Sequence, residues 1–577
     1  MITKCQIFKL LFLIIFFNHK CHTFITYIES KYPLLGEDAP PGSPWPLPQQ
    51  WTRSTYAYLL DPKLFFMTSN ADNCTIVTES LSRLSDEFNL LFKTIDDNHN
   101  HNNNNDNNTT NSLTSLRSIN LKIDTTYRCN ELYPQQNDNE FYEISIPYQS
   151  TNDGQIRADT IWGAIRALET LSQLIYINPS RQLVINATRV SDWPRFGFRG
   201  VMLDSSRHFL PKNVILANLD AMAYNKFNVF HWHIVDDQSF PFESKIFPEL
   251  TEKGAYSPKH VYKQTDIAEI IEYARYRGIR VIPEFDTPGH TQGFGKAFPH
   301  LLTPCYGDSD DRPFTAKYMK HATSEILNPM LNYTYDFMRV FFDEVKRVFR
   351  DEYVHLGMDE VYYDCWRSNP HIWQFMINNS FTELSQVEQY YTERMIDKIK
   401  DLGLKHIIWQ DPIDNGVHIS NDTLVMVWKE SYRHPTATSN SWKANVQRIV
   451  SQGYQVIVSA CWYLNYISYG QDWEKYYRCD PTKSLADDKE KALVLGGEAC
   501  MWGEYVDGTN VLARLWPRAS AVAERLWSDP LMTNDIESAK YRLDQHRCRM
   551  LRRGIPAQPI LNGFCGDYEW EMNTNEL

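Results

Sequence analysis

Three features are missing from this 577-residue chain, and each absence closes off a class of function. No basic run stands out to track phosphates. The 58 basic against 71 acidic residues give a net charge of −13, which argues against a nucleic-acid partner. After the first seventeen residues no apolar stretch approaches the length of a membrane span, so no span is expected in the mature chain. No two cysteines have the close C-x-x-C spacing of a zinc site.

What is present describes a folded, exported protein. A hydrophobic content of 43%, with 14% aromatic residues, can build a large core, and the length allows about two to four domains. Lys4 and Lys9 precede the apolar run Leu10 to Phe17, so residues 1–22 read as a cleaved secretory signal, with 23–43 a variable leader. Cys5 and Cys21 would leave with the signal. Cys74, Cys129, Cys305, Cys365, Cys461, Cys479, Cys500, Cys548 and Cys565 remain and suit disulfides in an oxidising compartment. Nine is odd, so at least one thiol stays free or pairs between chains. N-x-S/T sequons at Asn73, Asn107, Asn108, Asn186, Asn332, Asn378 and Asn421 agree with a glycoprotein of the secretory pathway.

The pattern along the chain predicts two domains. Pro40 to Pro48 is a stiff, extended stretch near which order should begin. Strand-like Tyr142–Ile146 and the helically spaced Ile161, Ala164, Ile165, Leu168, Leu171 and Leu174 place a small α/β domain at 44–190. Its Asn-rich tract, 96–111, has nothing apolar to bury and reads as a disordered insertion. From 191 to 577 the pattern becomes strand, loop, helix, repeated. Eight apolar strands are expected at Gly200–Leu203, Phe227–Ile234, Arg280–Pro283, Tyr353–Leu356, His406–Trp409, Leu424–Val427, Gln455–Ala460 and Val494–Leu495, with helices such as Asp266–Arg277 and Gln389–Leu402 between them. The fold class is therefore α/β: a small N-terminal domain followed by a (β/α)₈ barrel.

The strand ends carry the chemistry. The fourth strand runs into Asp359-Glu360, and in a parallel barrel that end is the catalytic one. An isolated Asp-Glu pair is usually a solvated turn, but here the other strand ends are equally rich in acids, arginine and tryptophan. Tryptophan faces stack on sugar C–H surfaces, and carboxylates and arginine grip vicinal hydroxyls, so a carbohydrate site is the reading. A rival exists in His231-x-His233, which could ligate a metal, although both fall within a strand and could equally face the barrel interior as hydrogen-bonded packing.

With these residues in place, the chain resembles the β-N-acetylhexosaminidases of glycoside hydrolase family 20, of the animal lysosomal type. The matching motifs are Arg199-Gly200 to Arg207-His208, His231 to Pro241, Pro283 to His290, Gly357 to Glu360, Trp502 to Asp507 and Arg514 to Ala519. The resemblance implies removal of terminal β-linked GlcNAc or GalNAc from oligosaccharides, glycoproteins or glycolipids, with retention. The substrate's own 2-acetamido oxygen would be the nucleophile, and the product an oxazolinium intermediate. It implies no cofactor and no metal, a homo- or heterodimer, and a lysosomal or secreted location.

Carried over by position, Glu360 is the general acid and base, with a pKa expected to be raised by nearby negative charge. Asp359 stays charged and accepts the acetamido N–H, and Tyr463 positions the acetamido oxygen. Trp409, Trp428 and Trp502 wall the pocket, while Arg207 and Glu504 grip distal hydroxyls. Asp236, Asp286 and His290 set the charge state of Glu360. The implied disulfides are Cys74 with Cys129, Cys305 with Cys365, and Cys548 with Cys565; Cys500 fits a buried thiol, and pairing of Cys461 with Cys479 stays open. Two departures stand out. Met358 replaces a glycine and would strain the turn if that position needs positive φ. Asn465-Tyr466 lacks both the repelling Asp and the attracting Arg found in the family, which predicts neutral HexNAc as the main substrate. The alternatives are an inactive glycan-binding homologue and a metal-dependent barrel hydrolase.

Overall fold

The computed structural model describes residues 39–99, 113–149, 152–306, 326–430, 441–468, 470–562 and 565. The expected signal, most of the leader, and the sequons Asn107 and Asn108 lie outside the described residues. No helix among those described is long and apolar enough to cross a membrane.

Seven strands form the N-terminal sheet: β1 (Gln50–Leu59), β2 (Phe66–Ser69), β3 (Ser118–Thr125), β4 (Tyr142–Ile146), β5 (Asp153–Thr160), β6 (Ile175–Ile177) and β7 (Leu183–Asp192). Their order is β1-β7-β4-β5-β3-β2, with β6 on β7. Ile119, Leu121 and Ile123 of β3 and Ile156 and Ala158 of β5 point to one face, the period-two pattern of a sheet covered on that side. Helices α1 (Thr75–His99) and α2 (Ile161–Leu174) share a core with it. Helix α1 continues to His99, so the first four residues of the expected Asn-rich insertion prolong a helix instead of starting a loop. Thr160 caps α2 by accepting from the N–H groups of Trp162 and Gly163. Every residue of α2 except Glu169 is buried, because the helix is enclosed between its own sheet and the barrel.

The barrel closes as β10-β11-β12-β13-β14-β15-β8-β9, all pairs parallel. Its strands are β8 (Phe198–Asp204), β9 (Val229–Val235), β10 (Arg280–Thr287), β11 (Tyr353–Gly357), β12 (Lys405–Trp409), β13 (Leu424–Val427), β14 (Gln455–Val458) and β15 (Val494–Met501). All eight expected strands are present, and β8, β9 and β10 are buried throughout, as strands covered on both faces must be. Two extend well beyond their expected C-terminal ends. Strand β10 runs on past Pro283, and β15 runs six residues past Leu495 because its glycines are forced by packing. At Gly496, with φ +146°, a Cβ would lie 1.9 Å from the Phe198 carbonyl oxygen of neighbouring β8.

The domains meet at the N-terminal ends of β8 and β9. Buried Glu140 receives Arg166 Nε at 2.7 Å and Arg199 at 2.6 Å, and Arg166 also donates to the Gly278 carbonyl. Buried Asp192 receives Lys226 Nζ at 2.9 Å, the Trp527 indole N–H and the Tyr142 hydroxyl. Trp45 is fully buried, donating from its backbone N–H to Gln173 of α2 and from its indole to the Ser520 carbonyl, so the proline-rich stretch is inlaid between α2 and the last barrel helices. Disulfides join Cys74 to Cys129, Cys305 to Cys365, Cys548 to Cys565, and also Cys461 to Cys479; Cys500 of β15 is a buried free thiol.

Candidate active site

The C-terminal ends of the barrel strands bring together most of the residues the sequence singled out. Asp359 and Glu360 follow β11 through a tight turn in which Gly357 has φ +67°, Met358 +71° and Glu360 +47°. Gly357 is obligatory, since a Cβ there would fall 1.7 Å from Asp286 Oδ1. Met358 does occupy the left-handed region, so the methionine strains the turn; its side chain is buried in the barrel core and its N–H donates to Asp286 Oδ1 at 3.1 Å.

The two adjacent acids have opposite environments. Asp359 is buried, and its Oδ1 accepts from no protein N–H or hydroxyl. Desolvation, then the charge of Asp411, pushes its pKa up to about 7. Burial, followed by the charge of neighbouring Asp359, holds the Asp286 carboxyl well above the usual carboxylate range. The Glu360 side chain is 58% exposed and lies 3.5 Å from His290 Nε2. The hydrogen bond from His290 lowers its pKa, overcoming desolvation, and the charges of His290, Arg207 and Lys429 add to the effect. The expected order is thus reversed: Glu360 is lowered and Asp359 raised. The reason is that at Glu360 the hydrogen bond from His290 outweighs desolvation, whereas at Asp359 burial outweighs the charge of His290, 3.7 Å away.

Behind the pair runs a lattice of alternating charge. His290 Nδ1 meets Asp236 Oδ1 at 3.2 Å, and Asp236 Oδ2 also meets Arg207 at 2.9 Å and His233 at 2.7 Å. His233 Nδ1 lies 2.6 Å from Glu284, which also takes His231 at 3.0 Å, His355 at 3.1 Å and the Trp409 indole N–H at 2.7 Å. Against the desolvation that opposes it, Glu498 and Glu284 raise His231 to about 9, and Glu284 and Asp236 raise His233 to about 10. Histidines 231 and 233 therefore face the barrel interior as ion-paired packing. Donor triplets within 4.8 Å of one another occur at His231, Glu284 and His355, at His233, Glu284 and Asp286, at Asp236, Asp237 and His290, and at Asp286, His290 and Asp359. A metal there would have to displace the protons that carboxylates favour on His231, His233 and His290, whereas burial pushes His355 down.

Aromatic rings form the other wall. Trp409 and Trp502 have centroids 6.0 Å apart, and Trp428 stacks on Tyr463 at 6.1 Å and 19°. Arg207 is held by Asp204, Asp236 and Gln238 with its guanidinium over Trp502. Glu504 is exposed nearby, and its charge acts on Arg207. Asn465 is half-buried with Oδ1 unpaired, beside half-exposed Tyr466. Sequence reasoning passed over Glu284, Asp411 and Lys429 as individual residues, although each stands at a strand end it had marked. Lys429 Nζ bonds Asp411 and Asp414, both at 2.9 Å. Of the sequons, Asn73, Asn332, Asn378 and Asn421 are exposed. Asn186 is buried on β7, with its amide nitrogen donating to the Ser54 carbonyl.

A parallel barrel whose mouth joins adjacent acids to a wall of tryptophans and tyrosine is the arrangement of a glycoside hydrolase. The family described as "Glycosyl hydrolase family 20, catalytic domain" matches residues 196–530, and "beta-acetyl hexosaminidase like" matches 44–174; the chain belongs to glycoside hydrolase family 20. It is 44% identical to mouse "Beta-hexosaminidase subunit alpha" over 537 residues, covering 92% of this chain and 96% of the relative. It is 42% identical to human "Beta-hexosaminidase subunit beta" over 527 residues, covering 90% and 89%. The solved chitobiase of Flavobacterium johnsoniae superposes with a TM-score of 0.72 at 28% identity, covering 89% of this chain and 73% of that one.

Proposed function

We propose that the protein is a retaining exo-β-N-acetylhexosaminidase that removes terminal β-linked GlcNAc or GalNAc by substrate-assisted catalysis. The observation that carries this reading is the division between the adjacent acids: a buried Asp359 oxygen with no donor, beside a solvated Glu360 that can reach a leaving group.

A bound sugar supplies what each acid lacks. Its acetamido N–H donates to Asp359, giving the buried carboxylate a partner that favours the charged form. The sugar also displaces water and moves Glu360 into a drier place, which raises its pKa towards that of an acid. In the first step the acetamido oxygen attacks the anomeric carbon, the bond to the leaving oxygen breaks, and the Glu360 proton passes to that oxygen. In the second, Glu360 takes a proton from water, which attacks the same carbon, re-forms the acetamido group and retains configuration. Tyr463 and the walls Trp409, Trp428 and Trp502 hold the acetamido group in line and exclude competing water. Arg207 and Glu504 grip distal hydroxyls, and Asp236, Asp286 and His290 fix the local charge.

Asn465 and Tyr466 favour a neutral HexNAc over an anionic one. Four disulfides and the exposed sequons suit a secretory route ending in lysosomes or export, with a second hexosaminidase subunit, identical or related, as partner. The test is hydrolysis of GlcNAc, GalNAc and 6-sulfated GlcNAc aryl glycosides across acidic pH, with NMR of the released anomer. Initial release of the β-anomer is expected, and release of the α-anomer rules out the retaining route.

A further inference from the structure

Glu360 is assigned a task that depends on position, yet much of its local structure works against a fixed position. Its side chain is 58% exposed and its backbone sits at φ +47°, a left-handed conformation disfavoured for a residue with a Cβ. Met358, two residues earlier, is left-handed as well.

One buried carboxylate holds this segment. Asp411, at the start of the short helix Asp411–Asp414 after β12, is 5% exposed. Its Oδ1 accepts the Glu360 backbone N–H at 3.2 Å and Lys429 Nζ at 2.9 Å, and its Oδ2 accepts the Trp428 indole N–H at 2.7 Å. The adjoining Gln410 reinforces the junction, its Oε1 accepting the backbone N–H groups of Trp428 at 3.0 Å and Lys429 at 3.1 Å. The ends of β11, β12 and β13 are thereby tied at a single side chain. Three donors converge on Asp411, and only a carboxylate can accept from all of them; an amide would turn an NH₂ group towards a donor.

We propose that Asp411 is a positioning residue for the reaction, fixing the backbone of the proton donor and the Trp428 wall of the acetamido pocket relative to each other. This rests on the reading of Glu360 as the acid and base. It assigns Asp411 no contact with substrate and no proton of its own to move.

The test compares two leaving groups on the full chain. A phenyl glycoside needs protonation as its bond breaks, and a dinitrophenyl glycoside hardly does, so a misplaced acid hurts the first more. For Asp411→Asn, a loss in kcat/KM at least about tenfold larger on the phenyl than on the dinitrophenyl glycoside is expected, given that a displacement of about 1 Å can cost about 100-fold. Equal losses on the two substrates, or none, overturn the proposal. If Asp411→Asn does not fold, Lys429→Gln is read in the same way, with a smaller difference of the same sign. Glu360→Gln is measured alongside. If it keeps full activity on the phenyl glycoside, the assignment of Glu360 fails; if it loses that activity while Asp411→Asn treats both substrates alike, only the role of Asp411 fails.

Discussion

Buried charge gathers at both ends of the barrel, and the two gatherings are built differently. At the domain seam, Glu140, Arg166, Arg199, Asp192 and Lys226 leave no side-chain donor or acceptor unmatched. At the mouth, Asp359 Oδ1, Asp286 Oδ2 and Asn465 Oδ1 are buried without a hydrogen-bonding partner. Leaving such an atom unmatched costs about 1–3 kcal/mol. A saturated network has nothing left to bind, so it joins domains. An open one costs stability and leaves polar atoms able to receive a ligand, so it is where function is sought.

This contrast is breakable by mutation. The largest effect is expected from Glu360→Gln, which should lower turnover of a poorly activated glycoside by about 10²–10⁴-fold with little change in Tm. Asp359→Asn should lower kcat by about 10²–10³-fold. Because burial lifts Asp359 to about 7, from an unfolded value near about 3.9, stability is lost as pH rises between those values and the penalty is nearly complete at neutral pH, so the variant's Tm there should hold or rise. A marked fall in Tm would erase the distinction between the two ends. At the seam, Glu140→Gln should do the reverse: it leaves two buried arginines short of a counter-charge, at a cost of about 3–5 kcal/mol by denaturant melt, with KM unchanged.

The lattice behind the mouth gives a pH test. Desolvation works against the protonated forms of His231 and His233, yet Glu498, Glu284 and Asp236 hold them charged up to about 9 and 10. Unfolded histidine titrates near about 6.5. The stabilisation is complete below that value and lost as pH rises through the folded values, so Tm should drop by a few degrees between neutral pH and about 10. A flat Tm would mean that these rings are neutral. The smallest effect is expected from Met358→Gly. Relief of the left-handed strain returns about 1–2 kcal/mol, while the lost buried side chain costs about 2–5 kcal/mol. A net destabilisation between about 0 and about 4 kcal/mol is expected from thermal melts.

The barrel strands were legible because a strand covered on both faces must be largely apolar, a local property of Leu424 to Val427 or Ile407 to Trp409. The true extent of β15 was not. Gly496 and Gly497 look like a break until β8 and Trp462 are seen pressed against them. Site residues at strand ends were legible in the same local way, as Trp409, Trp428 and Trp502 show. Asp411 stood in a marked segment, yet nothing in Trp409-Gln410-Asp411 announces that Glu360 N–H, Lys429 and Trp428 meet there. The Cys461 to Cys479 bridge was open for the same reason, since pairing depends on which Cβ atoms approach.

By itself, then, the sequence determined the barrel, the place of the acid pair at its mouth and the family, because apolar runs and short motifs are written in consecutive residues. Only the tertiary structure decided which acid of the pair is lowered and which raised, that Met358 adopts positive φ, and that one seam is closed while the other stays open. Each of these depends on charges, donors and backbone brought together from residues tens to hundreds of positions apart. The field at Glu360 is the sum of His290, Arg207 and Lys429, and no stretch of sequence contains that sum.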